Sequence, residues 1–232
     1  MLPLVLLPAL LCDEELYRTQ TDALADVAQP VPLAPSAPSL AEAAQWVLRR
    51  VPERFALVGT SAGGNLALEV VAAAPERVAG VWLMGCNPGL HGDPEGARRS
   101  SERVRAGGFE AVVEDLVARA VYPGGPCATA ATAALRRMAR RFGPEAFVRT
   151  NDALRSRAPR WDALDVVRGP ALLVWGRHDQ FSGVERASAI LTRVASARLI
   201  VLEDCGHLPT LEQPDACTHA AQEWLTRVSG TR

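Results

Sequence analysis

The feature that most constrains this fold is a Gly-Thr-Ser-Ala-Gly turn at residues 59–63. A short apolar run, Phe55–Val58, precedes the turn, and a segment of helical character, Ala62–Ala74, follows it. A strand that turns this sharply into a helix holds a serine hydroxyl clear of its own backbone at the mouth of a sheet. The two flanking glycines let strand and helix fold back on each other. Ser61 is therefore a candidate nucleophile, whereas the plainer interpretation makes it the N-cap of an ordinary helix.

Several short apolar runs have the continuous character of parallel strands that are buried on both faces. Five clear runs and a weaker one lie at Leu4–Leu7, Phe55–Val58, Val78–Met84, Ala171–Trp175, Arg198–Leu202 and, interrupted by prolines, Gln29–Leu33. Helical segments separate most of them, at Leu40–Arg50, Ala62–Ala74, Val184–Ala195 and Pro214–Val228. This alternation predicts an α/β protein with a mostly parallel sheet and helices on both faces. In such sheets the ligand site lies beyond the carboxyl ends of the strands.

The alternation stops in the middle of the chain, where the sequence predicts an inserted helical lid at residues 88–158. Its helices are indicated by apolar stripes over Phe109–Ala120 and Ala128–Phe142 and by Pro144 at the start of a third helix. We therefore predict an α/β core formed by residues 1–87 and 159–232. The apolar stripes contact either the core or a substrate, and the candidate pocket residues are Leu11, Phe109, Met138, Phe147 and Trp161.

A serine nucleophile needs a base within hydrogen-bond reach and an acid that orients this base. His207 follows a predicted strand on a loop at the same sheet edge as Ser61, which makes it the candidate base. Asp179 also follows a predicted strand and is the candidate acid, with Asp93 as the runner-up. The other histidines have plainer interpretations. His178 is a sequence neighbour of the acid, His91 lies in a loop rich in glycine and proline, and His219 is a surface residue of the last helix.

Acyl transfer also needs hydrogen-bond donors aimed at the oxyanion of the tetrahedral intermediate. The backbone N–H of Ala62 is one candidate, because it begins the helix after Ser61 and the helix dipole assists there. The second donor is expected from the loop after the first strand. In that loop the N–H of Leu10 is the best candidate, and that of Leu11 is the alternative.

Composition excludes several chemistries. All 25 basic residues are arginine, so the chain has no lysine for a Walker A motif or a Schiff base. The formal net charge of -1 indicates no bulk attraction to nucleic acid or to membranes. The five cysteines show no metal-ligand spacing. We therefore expect no metal, no organic cofactor, and free thiols in a reducing, cytoplasmic compartment.

Two further patterns concern location and partners. The apolar start at residues 1–11 lacks the basic region and cleavage site of a secretory signal, and we interpret it as a buried strand. No apolar run approaches the roughly 20 residues of a membrane-spanning helix. Residues 88–160 contain 13 arginines and 8 acidic residues, whereas the rest of the chain is net acidic. The plainer interpretation is a set of solvated helix faces; the sharper one is a mildly positive lid that favours anionic substrates or an acyl carrier protein.

Together these features resemble the α/β-hydrolase superfamily over nearly the whole chain. The resemblance rests on the turn after the first strand, the serine turn, the segment around Asp179 and the loop at residues 205–214. That last loop looks very like the histidine loop of lidded serine esterases, enol-lactonases and carrier-protein methyl esterases. The resemblance implies an α/β-hydrolase fold in a compact form that lacks the first hairpin. The chain differs from many relatives at Pro8-Ala9, where His-Gly is common, and at Ala62, where Met or Gln is common.

The function implied by this resemblance is cleavage of a small-molecule carboxylic ester, or a related acyl compound, through a Ser-His-Asp triad and an acyl-enzyme intermediate. The same residues also fit lactone opening, hydrolysis of a carbon–carbon bond in a diketone, acyl transfer to an acceptor other than water, or a cofactor-free haloperoxidase-like side activity. A non-catalytic small-molecule receptor is the alternative of a different class.

Overall fold

The computed structural model describes residues 1–230, in which six strands form a sheet with the order β2-β1-β3-β4-β5-β6. The strands are β1 Leu2–Leu7, β2 Ala28–Pro32, β3 Phe55–Thr60, β4 Val78–Met84, β5 Ala171–Gly176 and β6 Ala197–Leu202. Every neighbouring pair is parallel. The predicted parallel α/β sheet is therefore confirmed. The last two residues of the predicted core segment 159–232, Thr231 and Arg232, lie outside the described residues.

Helices connect and cover these strands. They are α1 Arg18–Leu24, α2 Leu40–Leu48, α3 Ala62–Ala73, α4 Pro94–Arg105, α5 Phe109–Ala120, α6 Ala128–Arg155, α7 Trp161–Asp165, α8 Val184–Leu191, α9 Pro209–Glu212 and α10 Pro214–Gly230. Helices α1 and α10 pack together on one side of the sheet, and α2, α3 and α8 supply residues to the core on the other. The sheet is thus covered on both faces, as the fold class requires.

The strands read as continuous apolar runs because each of their faces meets a separate core cluster. In β1, Leu4 and Leu6 belong to the cluster beneath α10, while Val5 and Leu7 belong to the cluster beneath α3. All four side chains are at most 1% exposed. Full burial of one such aliphatic side chain stabilises the fold by about 1.5–3 kcal/mol. The weakest predicted strand is present as the edge strand β2, where Pro30 and Pro32 are tolerated because, within residues 1–230, one side of the strand has no partner strand.

The insertion between β4 and β5 contains helices α4, α5 and α6. Helix α6 is kinked at Gly143 (φ 76°, ψ 167°), directly before Pro144, which agrees with the third helix that the sequence predicts from Pro144. The sequence did not predict α4, because few of its residues are apolar: its buried positions are Ala97, Ser101 and Val104. A helix-start signal was nevertheless present in Asp-Pro-Glu at residues 93–95. The limits of the lid unit, residues 88–158, stay a prediction.

Candidate active site

Ser61 lies in the sharp turn between β3 and α3. Its backbone has φ 53° and ψ -112°, a conformation that non-glycine residues rarely adopt. A Cβ atom on Gly59 would lie 2.5 Å from the carbonyl oxygen of Gly63, and one on Gly63 would lie 1.9 Å from that of Leu7. Both glycines are therefore required by close backbone contacts. Backbone strain of this kind costs about 1–3 kcal/mol and concentrates at functional sites.

His207 and Asp179 form a buried pair at the carboxyl ends of β6 and β5. The Nδ1 atom of His207 lies 2.7 Å from Oδ2 of Asp179, and the two side chains are 6% and 1% exposed. The other carboxylate oxygen, Oδ1 of Asp179, accepts hydrogen bonds from the backbone N–H groups of Phe181 (2.8 Å) and Ser182 (2.9 Å). The carboxylate is thus fixed by three contacts, and the Nε2 atom of His207 is left for another partner.

The end of β4 brings Ser61 and this pair into one region. The N–H of Ser61 donates to the carbonyl oxygen of Met84 at 2.7 Å. The next residue, Gly85, has φ 56°, and a Cβ atom on it would lie 2.8 Å from Cε1 of His207 and 3.2 Å from Oδ2 of Asp179. All three predicted catalytic residues therefore surround the Met84–Gly85 segment. Sequence reasoning missed Gly85, although a glycine directly after a buried strand was a usable signal.

The two candidate oxyanion donors lie on adjoining segments. Ala62 is the first residue of α3, and the side chain of Leu10 packs against the small cluster formed by Ala62, Leu40 and Leu154. The neighbouring Leu11 has φ 67° and is 2% exposed, so the loop after β1 is itself backbone-strained. These positions are compatible with the predicted roles, which stay predictions.

Tyr17 is a buried residue that sequence reasoning missed. Its hydroxyl donates to the carbonyl oxygen of Leu7 at 2.8 Å and also contacts Oγ1 of Thr60 at 2.8 Å. Burial raises the pKa of Tyr17, so the neutral hydroxyl is the form that makes these contacts. Because Leu7 precedes the candidate oxyanion loop and Thr60 precedes Ser61, this hydroxyl connects the two segments. No sequence pattern indicated this contact between residues 43 positions apart.

The model of the Alpha/beta hydrolase family matches residues 16–220. The chain belongs to the alpha/beta hydrolase family. Among solved structures, it is similar to a thermophilic esterase from Thermogutta terrifontis, with a TM-score of 0.87 and 23% identity over 98% of this chain and 90% of that one. At this level of identity the likeness establishes the fold alone.

Two curated relatives are each 28% identical to this family member. One is the 2-hydroxy-6-oxononadienedioate/2-hydroxy-6-oxononatrienedioate hydrolase of Escherichia coli (strain K12 / DH10B), aligned over 74% of this chain and 62% of the relative. The other is the pimeloyl-(acyl-carrier protein) methyl ester esterase of Aromatoleum aromaticum, aligned over 78% of this chain and 77% of the relative. The chain thus spans less than two thirds of the length of the E. coli relative.

A cavity of about 260 Å³ adjoins the serine turn of this alpha/beta hydrolase. It lies between the loop after β1, the segment before α2 and the second half of α6. Its lining is largely apolar and includes Ala9, Leu40, Ala62, Leu66, Phe142 and Ala146. The Arg141 side chain at this cavity is paired with Asp13 and Glu15, so that its charge is compensated.

The five candidate pocket residues lie elsewhere. Leu11, Met138 and Phe147 are buried in the core cluster on the α10 side of the sheet, and Phe109 packs against it with its ring 6.2 Å from that of Phe147. Trp161 lies apart, against the opposite cluster and beside Arg186 and Arg193. Four of the five thus belong to, or pack against, the same core cluster, and none of the five lines the cavity next to Ala62.

The alternative acid and the remaining histidines have other partners. Asp93 accepts a hydrogen bond from the N–H of Gly96 at 2.8 Å and caps helix α4. His91 accepts from the N–H of Asp93, His219 pairs with Glu223 on the surface of α10, and the ring of His178 stacks on Tyr122. Among the histidines of the described chain, His207 has the buried carboxylate partner.

Residues 1–230 contain no group of three or more His, Cys, Asp or Glu residues placed to hold a metal ion. Within the same range, no helix combines the length and the apolar character needed to cross a bilayer. All five cysteines, which lie in this range, are free thiols.

Proposed function

We propose that this hydrolase cleaves a carboxylic ester of a small molecule with Ser61 as nucleophile, His207 as general base and acid, and Asp179 as the residue that orients His207. The observation that carries the proposal is the buried 2.7 Å contact between His207 and Asp179, which lies beside Gly85 at the end of β4, where the carbonyl oxygen of Met84 accepts a hydrogen bond from the N–H of Ser61. A nucleophile, a base and an orienting acid at one edge of a parallel sheet are the constellation required for acyl transfer.

In the first half of the reaction, the hydroxyl oxygen of Ser61 attacks the carbonyl carbon of the ester while Nε2 of His207 accepts the hydroxyl proton. The N–H groups of Ala62 and Leu10 stabilise the negative charge on the carbonyl oxygen. When the tetrahedral intermediate collapses, His207 gives this proton to the departing alcohol. The acyl group is then bonded to Ser61.

In the second half, His207 removes a proton from water, and the resulting hydroxide attacks the acyl carbon. The tetrahedral intermediate expels the oxygen of Ser61, which recovers its proton from His207, and the carboxylic acid leaves. Asp179 stabilises the cationic imidazole in both halves. Its own position is supported by the N–H groups of Phe181 and Ser182. The residues named and one water account for every proton, so the proposal invokes no cofactor.

The inserted residues 88–158 are proposed to act as a lid over this site. An acyl carrier protein as partner is a secondary proposal, supported by the name of the Aromatoleum relative and by the excess of arginine in the insertion. Much of this excess is compensated within the chain, since eight of the 13 arginines between residues 88 and 160 form ion pairs: Arg98, Arg103, Arg105, Arg136, Arg137, Arg141, Arg155 and Arg160. The free thiols support the proposal of a reducing, cytoplasmic compartment.

The deciding experiment is a hydrolysis panel with the purified chain and its Ser61→Ala variant. p-Nitrophenyl esters of increasing acyl length are compared with lactones, thioesters and diketones, and a fluorophosphonate probe reports on the serine. Ester turnover and probe labelling that both disappear in Ser61→Ala support the proposal. Folded wild-type protein without serine-dependent labelling would instead favour a non-catalytic receptor.

A second candidate function uses the same three residues on a keto-acid substrate. It is favoured by the similarity to a hydrolase named for 2-hydroxy-6-oxononadienedioate. Faster serine-dependent turnover of a diketone than of every ester in the panel would select this alternative. Acyl transfer is selected if an added alcohol captures the acyl group more often than water does.

A further inference from the structure

Glu212 is a fully buried carboxylate beside the His207 loop, with 0% of the residue exposed. Its Oε2 atom accepts hydrogen bonds from the backbone N–H groups of Gly206 and Tyr122, both at 2.8 Å, and its Oε1 atom accepts from the N–H of Leu208 at 2.9 Å. A charged group without access to water needs such partners, since an unsatisfied buried charge is strongly destabilising. Three backbone donors supply them here.

These contacts occupy the backbone on both sides of the candidate base. The N–H groups of residues 206 and 208 bind Glu212, and the N–H of His207 itself donates to the carbonyl oxygen of Ala120 at 2.7 Å. Ala120 is the last residue of α5, and Tyr122 follows closely after it. Three consecutive peptide groups of the His207 loop are therefore bonded, directly or through Glu212, to the end of an inserted helix.

The same end of α5 also contacts the loop of the candidate acid. The ring of Tyr122 stacks on that of His178, with centroids 3.9 Å apart and planes inclined by 8°. His178 directly precedes Asp179, and its N–H donates to the carbonyl oxygen of Cys205 at 2.9 Å. The ring of Tyr122 therefore contacts the loop of Asp179. Its backbone N–H binds Glu212, which in turn binds the loop of His207.

A carboxylate suits this position better than the isosteric amide would. Two acceptor oxygens serve three N–H donors, whereas glutamine offers one acceptor oxygen and one NH₂ group. In either orientation the NH₂ group of a glutamine would face at least one backbone N–H. Burial raises the pKa of Glu212, while the N–H groups of Tyr122, Leu208 and Gly206 and the charge on His207 act in the opposite direction.

We propose that Glu212 is a positioning residue: by bonding the peptide groups on both sides of His207 to the end of helix α5, it holds the imidazole against Asp179. Glu212 acts through the backbone and not at the reacting atoms. The inference rests on the proposed function, because its effect on turnover requires that His207 is the catalytic base.

The test is Glu212→Gln in the full chain, assayed with p-nitrophenyl butyrate and by amide hydrogen exchange. We expect kcat to fall by roughly ten- to a hundredfold with KM nearly unchanged, as for the loss of one to two hydrogen bonds to a charged group. Exchange should accelerate in peptides that cover residues 120–125 and 203–208. The matched control is Glu203→Gln, which removes an equal charge from the same loop but breaks only an exposed pair with Arg177; it should keep wild-type kcat and exchange.

Wild-type kcat, or wild-type amide protection, in folded Glu212→Gln overturns the proposal. If that variant does not fold, Glu212→Asp replaces it, because the shorter side chain keeps the charge but cannot reach all three N–H groups; wild-type kcat in this variant also overturns the proposal. Failure of the proposed function is recognised separately. In that case wild-type protein shows no serine-dependent hydrolysis. The exchange measurement still tests whether Glu212 holds the His207 loop to the end of helix α5.

Discussion

The carboxyl edge of the sheet and the inserted helices are built by different kinds of contact. At the sheet edge, Ser61, Gly85 and Asp179 are fixed by backbone hydrogen bonds and by glycines whose Cβ would collide with neighbouring atoms. Apart from the end of α5, which is hydrogen-bonded to Glu212 and to the His207 loop, the insertion joins the rest of the chain mainly through apolar packing and partly exposed ion pairs, such as those of Arg137 and Arg141 with Glu15. The edge, together with the end of α5 that is bonded to it, therefore tolerates little displacement, whereas the rest of the insertion can vary in sequence with little effect on the chemistry.

The largest effect is expected from removal of the orienting carboxylate. Asp179→Asn should lower kcat by about 10⁴-fold, because the imidazole loses the partner that fixes its tautomer and stabilises its cation. Steady-state hydrolysis of a p-nitrophenyl ester measures the loss. Asp93→Asn is the matched control in the insertion: asparagine still caps α4, and activity should stay at the wild-type level. Equal losses in both variants would remove the distinction between the two regions.

Two glycines with positive φ, one at the sheet edge and one in the insertion, allow the two regions to be compared again, with a smaller expected loss of activity. Gly85→Ala places a Cβ 2.8 Å from Cε1 of His207 and should lower kcat by roughly a hundredfold through displacement of the imidazole. Gly143→Ala has no neighbour within 4 Å at the added atom, so it should cost only backbone strain, about 1–3 kcal/mol of unfolding free energy. Urea unfolding of both variants measures the cost of backbone strain, and kcat measures displacement of the His207 imidazole. A normal kcat in Gly85→Ala contradicts the proposed site.

The cavity beside Ala62 tests whether the insertion contributes to substrate selection. Ala146→Phe should raise KM about tenfold for esters with longer acyl groups and leave acetate esters unaffected, because the new ring fills part of a cavity of about 260 Å³. Ala133→Phe, at an exposed position of the same helix α6, is the control. If acyl-length preference is unchanged in both, the cavity takes no part in binding, and the predicted residues Phe109 and Met138 become the first candidates to vary.

The smallest effect concerns the ion pairs between α6 and the loop after β1. Burial acts to raise the pKa of Asp13, but hydrogen bonds from Arg141 and from the N–H of Glu15 outweigh it and hold this pKa below its usual range. A lowered carboxyl pKa contributes stability that is present above the unfolded-state pKa and is lost as pH falls through the folded-state pKa.

Arg141→Ala should therefore reduce the free energy of unfolding only slightly near neutral pH, because solvent screens the exposed guanidinium. The difference from wild type should vanish in acid, once Asp13 and Glu15 are protonated. The control is Arg136→Ala. It breaks an ion pair with Glu114 that lies wholly inside the insertion and does not connect it to the loop after β1. A larger loss in Arg136→Ala would show that the contacts within the insertion matter more than its attachment to the loop.

The sequence by itself determined the six strands, the serine turn and the placement of Asp179 and His207 on loops at one edge. The physical reason is local: buried parallel strands read as continuous apolar runs, and all their carboxyl ends meet at the same edge of the sheet. A glycine-flanked serine between such a strand and a helix is likewise a local pattern.

Only the tertiary structure decided which side chains meet. Whether an apolar stripe of α6 faces the core or a cavity depends on how helix and sheet pack, and helical periodicity is the same in both cases. The bond from the N–H of Tyr122 to Glu212 spans 90 positions, and the lack of room for a side chain between Gly85 and the His207 ring depends on how the ends of β4 and β6 converge. Contacts of this kind are set by the folded chain as a whole, because no short segment contains both partners.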